Sequence, residues 1–150
     1  MKRLRVYIDT SVVGGCLDEE FATESKALMD MVTRGEIIAI VSDLLLGELA
    51  SAPDDVQQIL AALPEETTEA LVRSEESEQL RNAYLADHVV GESATEDAHH
   101  VALATVGRAD LIVSWNFRHI VHLDKIRAFN AVNLREGYGL LEIRSPREVV

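Results

Sequence analysis

The chain has 150 residues, 47% of them hydrophobic and 27% charged, with a formal net charge of −12. This is the composition of one folded domain, which buries roughly 70% of its unfolded surface and needs neither disulfides nor metal to fold. A single cysteine, Cys16, excludes an internal disulfide and a cysteine-rich zinc site, and it fits a reducing, cytoplasmic setting. The start, Met1-Lys2-Arg3-Leu4-Arg5, mimics the basic end of a signal peptide, but Asp9 interrupts the apolar stretch that follows.

Val6 to Asp9 is expected to be a short buried strand. Thr23 to Arg34 carries helical periodicity, with Leu28, Met31 and Val32 inward and Gly35 as its stop. Ile37 to Val41 is apolar and mostly β-branched, as in a strand covered on both faces. This run is far shorter than the roughly 20 residues that cross a membrane, so no membrane association is expected. Ser42 reads as the N-cap of a helix through Leu49, and Pro53-Asp54-Asp55 opens another. Glu75 to Leu85 is expected to be helical, with Leu80, Tyr84 and Leu85 inward. Ser93 or Thr95 is expected to cap the next helix, and Ser93-Ala94-Thr95-Glu96 fits a capping box; that helix runs to about Val106, before Gly107. Leu111 to Ser114 is another buried strand, His122 to Arg135 a helix ending before Gly137, and Leu140 to Ile143 a final strand. Short apolar strands alternating with helices imply an α/β fold with a parallel sheet, in one domain over residues 1–150.

The charge is uneven. Residues 54–97 hold 12 acids and 2 bases, whereas residues 118–150 hold 6 bases and 4 acids. The acidic middle reads as solvated helix surface. Lys2, Arg3 and Arg5 add a second basic cluster, and a local basic surface is expected if the two ends of the chain meet.

Sites in open parallel sheets form at the carboxyl ends of the strands. Asp9, Thr10 and Ser11 follow the first expected strand. Ser42 and Asp43 end the second, and the helix after it carries Glu48. Asp97 lies in the first turn of the helix that leads to the strand ending at Ser114, with Asn116 beyond. Each alone has a plain structural role, as a turn, cap or surface residue. Together, carboxylates at one sheet edge repel each other and call for a cation, and at least one carboxyl pKa is expected to rise without it. Oxygen donors without cysteine suit Mg²⁺ or Mn²⁺.

These motifs resemble those of PIN-domain ribonucleases, including the VapC-type toxins. Tyr7-Ile8-Asp9-Thr10-Ser11-Val12 is similar to their opening motif, and Ser42 to Leu49 to the second. Glu96 to Ala104 is similar to the third and Leu111 to His119 to the fourth. The resemblance spans essentially the whole chain. It implies an α/β/α sandwich and a metal-dependent endoribonuclease, the toxin of a toxin–antitoxin pair. RNA is then the substrate, a small antitoxin protein the partner, and a homodimer the assembly. Carried over residue by residue, Asp9, Glu48 and Asp97 are the acidic metal ligands and catalytic residues. Asn116, counted with the catalytic residues, falls where many relatives carry a fourth acid, which lowers the site charge by one. Thr10 and Ser114 would position water or phosphate, and Arg118 would approach substrate.

His99 and His100 are adjacent on a helix, point in different directions, and read as surface or packing residues. His119 and His122 read as a polar helix start. Trp115 and Phe117 read as packing, with base stacking the alternative. Cys16 reads as an inert thiol. The rival function is a protein-binding PIN-like module with weak or no nuclease activity, which Asn116 and the acidic charge favour. A nucleotide-binding α/β domain is disfavoured, because the chain has no Gly-rich phosphate loop.

Overall fold

The computed structural model describes residues 2–150. Five strands, β1 (Arg5–Ile8), β2 (Ile38–Ser42), β3 (Thr68–Leu71), β4 (Leu111–Val113) and β5 (Glu142–Arg144), form an all-parallel sheet in the order β3-β2-β1-β4-β5. Seven helices accompany them: α1 (Thr10–Gly15), α2 (Ala22–Thr33), α3 (Asp43–Leu49), α4 (Asp54–Ala61), α5 (Glu75–Ala86), α6 (Thr95–Val106) and α7 (Leu123–Arg135). Successive strand residues point to opposite faces. Val6, Ile8, Ala39, Val41, Leu111 and Val113 therefore pack with Val12, Leu28 and Val32 on one face. Tyr7, Ile40, Ile112 and Ile143 pack with Leu80, Val101 and Phe129 on the other. The result is the expected three-layer α/β/α sandwich. No helix is long and apolar enough to cross a membrane among the described residues.

Local chemistry places most of these elements. Ser42 Oγ accepts the Leu45 N–H at 3.1 Å, so the expected cap starts α3 directly off β2. Gly35 and Gly137, at φ of 74° and 89°, end α2 and α7 in a backbone region that costs glycine little.

The structure departs from expectation at four places. Thr10-Ser11-Val12-Val13-Gly14-Gly15 has poor intrinsic helix propensity, yet it forms α1. Asp9 caps it, and burial of Val12 and Val13 holds it on the sheet. β3 carries no apolar run. It is an edge strand, fixed in part by a two-pronged Arg5–Glu69 ion pair with N···O distances of 2.8 and 2.9 Å. The expected capping box on α6 is absent: Ala94 occupies the N-cap, and Thr95 Oγ1 donates to the Glu92 carbonyl at 2.6 Å. The last strand is Glu142–Arg144, two residues later than expected at its start: Leu140 is 71% exposed, and pairing with β4 begins only at Glu142.

The chain ends do approach, since Leu4 and Val149 line a common hollow of about 300 Å³. It is not a basic surface. Asp110, Glu142 and Glu148 line it beside Arg144, and Arg144 pairs with Glu142 at 2.6 Å.

Gly15 is a point of close approach. A Cβ there would lie 2.6 Å from Ser25 Oγ and 2.8 Å from Trp115 Nε1, wedging apart the 2.8 Å hydrogen bond from that indole to Ser25. Gly15→Ala is expected to destabilise the fold by roughly 1–3 kcal/mol through overpacking. Urea unfolding should show a lower midpoint at unchanged slope, and a wild-type midpoint would contradict the tight contact.

Candidate active site

β1 connects to β2 on one side, whereas β4 lies on the other. The order of the sheet therefore reverses between β1 and β4, and a crevice opens beyond their carboxyl ends. Asp9 follows β1 and Ser114 follows β4. Their side chains meet across the junction, where Ser114 Oγ donates to Asp9 Oδ2 at 2.8 Å. Ser11 Oγ donates to the same oxygen at 2.6 Å, and the Ser11 N–H approaches it at 3.4 Å. Asp9 Oδ2 is thereby saturated, and Asp9 is 4% exposed. Its other oxygen, Oδ1, faces His100 Nε2 at 3.8 Å.

Glu48 enters from α3. Its Oε1 accepts from Thr10 Oγ1 at 2.8 Å and contacts His100 Nε2 directly. Behind the imidazole, His100 Nδ1 lies 2.7 Å from Tyr7 Oη, which lies 2.7 Å from Ser42 Oγ. The buried chain Ser42–Tyr7–His100 thus aims one ring nitrogen at two carboxylates.

Sequence reasoning missed His100, whose side chain is 1% exposed. His99 and His100 do point in different directions, but a site needs only one of them. The signal that could have found it is position: His100 follows Asp97 by three residues and shares its helix face.

Asp97 and Asn116 sit beside this centre. Asp97 Oδ2 lies 2.9 Å from His119 Nδ1. Asn116 Oδ1 accepts the His119 N–H at 2.8 Å, so its carbonyl closes the turn after β4. Arg118 is exposed on that turn and makes no ion pair or side-chain hydrogen bond among the described residues. The structure brings Asp9, Thr10, Glu48 and Ser114 into one bonded group with His100. Asp97 and Asn116 are joined to each other through His119.

The two adjacent histidines titrate in opposite directions. Burial holds the His99 pKa down, to about 4, with Arg81 and Arg73 adding to the effect. Arg81 lies 3.5 Å from His99 Nδ1, which leaves the proton on Nε2, 2.9 Å from Ser77 Oγ. At His100 burial also disfavours the cation, but the Glu48 hydrogen bond and the charges of Asp9, Glu48 and Asp97 outweigh it and raise the pKa. Burial pushes the Glu48 carboxyl up, yet the His100 and Thr10 contacts win and hold it below the usual range. The expected rise of a gathered carboxyl is therefore reversed at Glu48, because the His100 ring and the Thr10 hydroxyl bond to it.

The signs give a testable pH dependence. Between pH of about 6.5 and 4 the unfolded chain protonates His99 and the folded chain does not, so His99 lowers stability as pH falls through that window. His100 does the reverse: its contribution is full below about 6.5 and is lost as pH rises through its raised folded pKa. Imidazole NMR titrations should show one ring still neutral at pH 5 and another protonated above 6.5. Two ordinary titrations near 6.5 would contradict both environments.

Among the described residues, no group of three or more His, Cys, Asp and Glu side chains stands close enough to hold a metal ion as arranged. The donor chemistry nevertheless fits a hard divalent cation. Asp9 Oδ1 and Glu48 Oε1 converge on one point, the position that His100 Nε2 takes in this structure. The third acid, Asp97, is turned to His119.

Comparison with known proteins agrees with the geometry. The PIN domain family matches residues 5–118, and the chain belongs to that family. Among solved structures, it is similar to the VapBC2 complex of Rickettsia felis bound to a promoter DNA fragment, with a TM-score of 0.58 at 10% identity, covering 95% of this chain and 98% of that one. It is also similar to VapC20 of Mycobacterium tuberculosis, a sarcin–ricin-loop-cleaving toxin, with a TM-score of 0.54 at 16% identity, covering 71% and 86%. A third similar structure is DNA-bound VapBC of Salmonella typhimurium, with a TM-score of 0.55 at 17% identity, covering 95% and 98%. At these identities the likeness is one of fold. No curated protein matches the sequence.

Proposed function

We propose that this chain is a divalent-metal-dependent endoribonuclease, the toxin of a toxin–antitoxin pair, acting in the cytoplasm as a homodimer and restrained by a small antitoxin protein. The observation that carries the reading is the convergence of Asp9 Oδ1 and Glu48 Oε1 on one point, His100 Nε2, at the switch between β1 and β4. Membership of the PIN family and the fold shared with VapC proteins support it.

Asp9, Glu48 and Asp97 would hold Mg²⁺ or Mn²⁺. When bound, the ion acidifies an attacking water and stabilises charge on the phosphate and the leaving oxygen. The chain's own residues prepare that event. Ser11 and Ser114 fix Asp9 through Oδ2 and leave Oδ1 directed into the site. Thr10 holds Glu48 in place, and the Ser42–Tyr7–His100 chain keeps the two acids from repelling each other before substrate arrives. Arg118 is free to take a phosphate of the RNA strand. Asn116 has its carbonyl committed to the turn, so its role is to set the loop that carries Arg118 and His119.

The rival reading, a protein-binding module, draws on that same commitment of Asn116. Cleavage of a panel of structured RNAs, with and without Mg²⁺ or Mn²⁺, separates the two. The nuclease reading expects metal-dependent cleavage by wild type, retained in Asn116→Asp, whose Oδ1 still accepts the His119 N–H. Absence of cleavage across the panel would favour the binding module.

A further inference from the structure

The turn that follows Ser114 carries an aromatic ring that the proposed chemistry does not use. Phe117 is 45% exposed, and among the exposed large hydrophobic residues described it is the one aromatic. The ring it rests on is buried and held from several sides. Trp115 stacks on Phe21 at 4.3 Å, lies under the Arg147 guanidinium at 5.3 Å, and donates through Nε1 to Ser25. Phe117 stands against it at 62°, with ring centroids 6.2 Å apart. The turn is locked: the Asn116 carbonyl accepts the Ile120 and Val121 N–H groups at 3.1 and 2.8 Å, and its side chain accepts that of His119. At its base Ser114 Oγ accepts the Asn116 N–H and donates to Asp9.

From this juxtaposition we infer that Phe117 is a stacking platform for one unpaired nucleobase of the RNA, next to the phosphate that Arg118 takes. The inference rests on the nuclease reading and adds to it one residue that holds a base beside the cleavage site. Bases inside an A-form helix have both faces covered, so a protruding ring can stack only on a base that is splayed out. A rigid platform loses little entropy on binding, and stacking tolerates any base because every base has a π-face. Arg118 beside the ring supplies the phosphate contact that a protein-docking aromatic would not need.

The test measures anisotropy of fluorescein-labelled RNA dodecamers of U, of A, of C and of mixed sequence, in EDTA so that none is cut. Phe117→Ala and Phe117→Leu are expected to bind roughly tenfold more weakly than wild type, and Phe117→Trp to restore affinity. A dodecamer of abasic sites should bind wild type and Phe117→Ala alike. A 2-aminopurine dodecamer should be quenched by wild type and not by Phe117→Leu. Unchanged affinity in Phe117→Ala, or an equal loss on the abasic strand, would overturn the platform and leave the ring to a protein partner. No binding of any dodecamer by wild type would overturn the nuclease reading itself and the platform with it.

Discussion

Asp9→Asn is expected to lower RNA cleavage on the order of 10²-fold or more while leaving the protein folded. An asparagine keeps an acceptor for the Ser11 and Ser114 hydroxyls and for the cap of α1, so stability should stay within about 1 kcal/mol of wild type. What it removes is the charge at Oδ1, the atom that faces His100 Nε2 at 3.8 Å. The raised His100 pKa owes part of its rise to Asp9 and should fall in this variant. Asp9→Ala differs in kind: it strands the buried Ser114 hydroxyl and the partly buried Ser11 hydroxyl and leaves a helix uncapped, at a cost of about 1–3 kcal/mol. Single-turnover cleavage together with urea unfolding distinguishes the two. Wild-type cleavage by Asp9→Asn would remove Asp9 from the chemistry.

The largest expected loss of stability lies at Trp115. Trp115→Ala should cost about 3–5 kcal/mol, the range for deleting a buried indole. The ring is 5% exposed and stacks on Phe21, and its N–H satisfies Ser25. Trp115→Phe keeps much of the packing and loses only that hydrogen bond, so about 1–2 kcal/mol is expected. Because Trp115 carries the turn of Asn116 to Val121, RNA affinity should fall in Trp115→Ala even where the fold survives. Urea unfolding measures the first effect. A cost under about 1 kcal/mol would contradict the packing described.

The parts of this protein that were legible in its sequence are those set by short-range chemistry. β1, β2 and β4 are apolar runs covered on both faces, Ser42 is a cap in the expected place, and Gly35 and Gly137 stop helices. The rule that sites form at strand ends then placed Asp9, Glu48, Asp97, Ser114 and Asn116 on one edge. What stayed hidden depends on contacts far apart in the chain. α1 has a sequence that disfavours helix and forms because Asp9 caps it and the sheet buries it. β3 exists as an edge strand, with Glu69 reaching Arg5 across 64 positions. His100 meets Glu48 across 52 positions and Tyr7 across 93. No local pattern announces that an imidazole will settle between two carboxylates.

The central claim is that Asp9, Glu48 and Asp97 together form a site for a divalent cation, and calorimetric titration with Mn²⁺ tests it most directly. Wild type is expected to bind Mn²⁺ at one strong site, to take up the ion with release of a proton as His100 gives up its place, and to melt higher in its presence. The Asp9→Asn/Asp97→Asn double variant should show neither the binding heat nor the shift. Equal binding by wild type and the double variant, or no binding by wild type at millimolar Mn²⁺, would contradict the account.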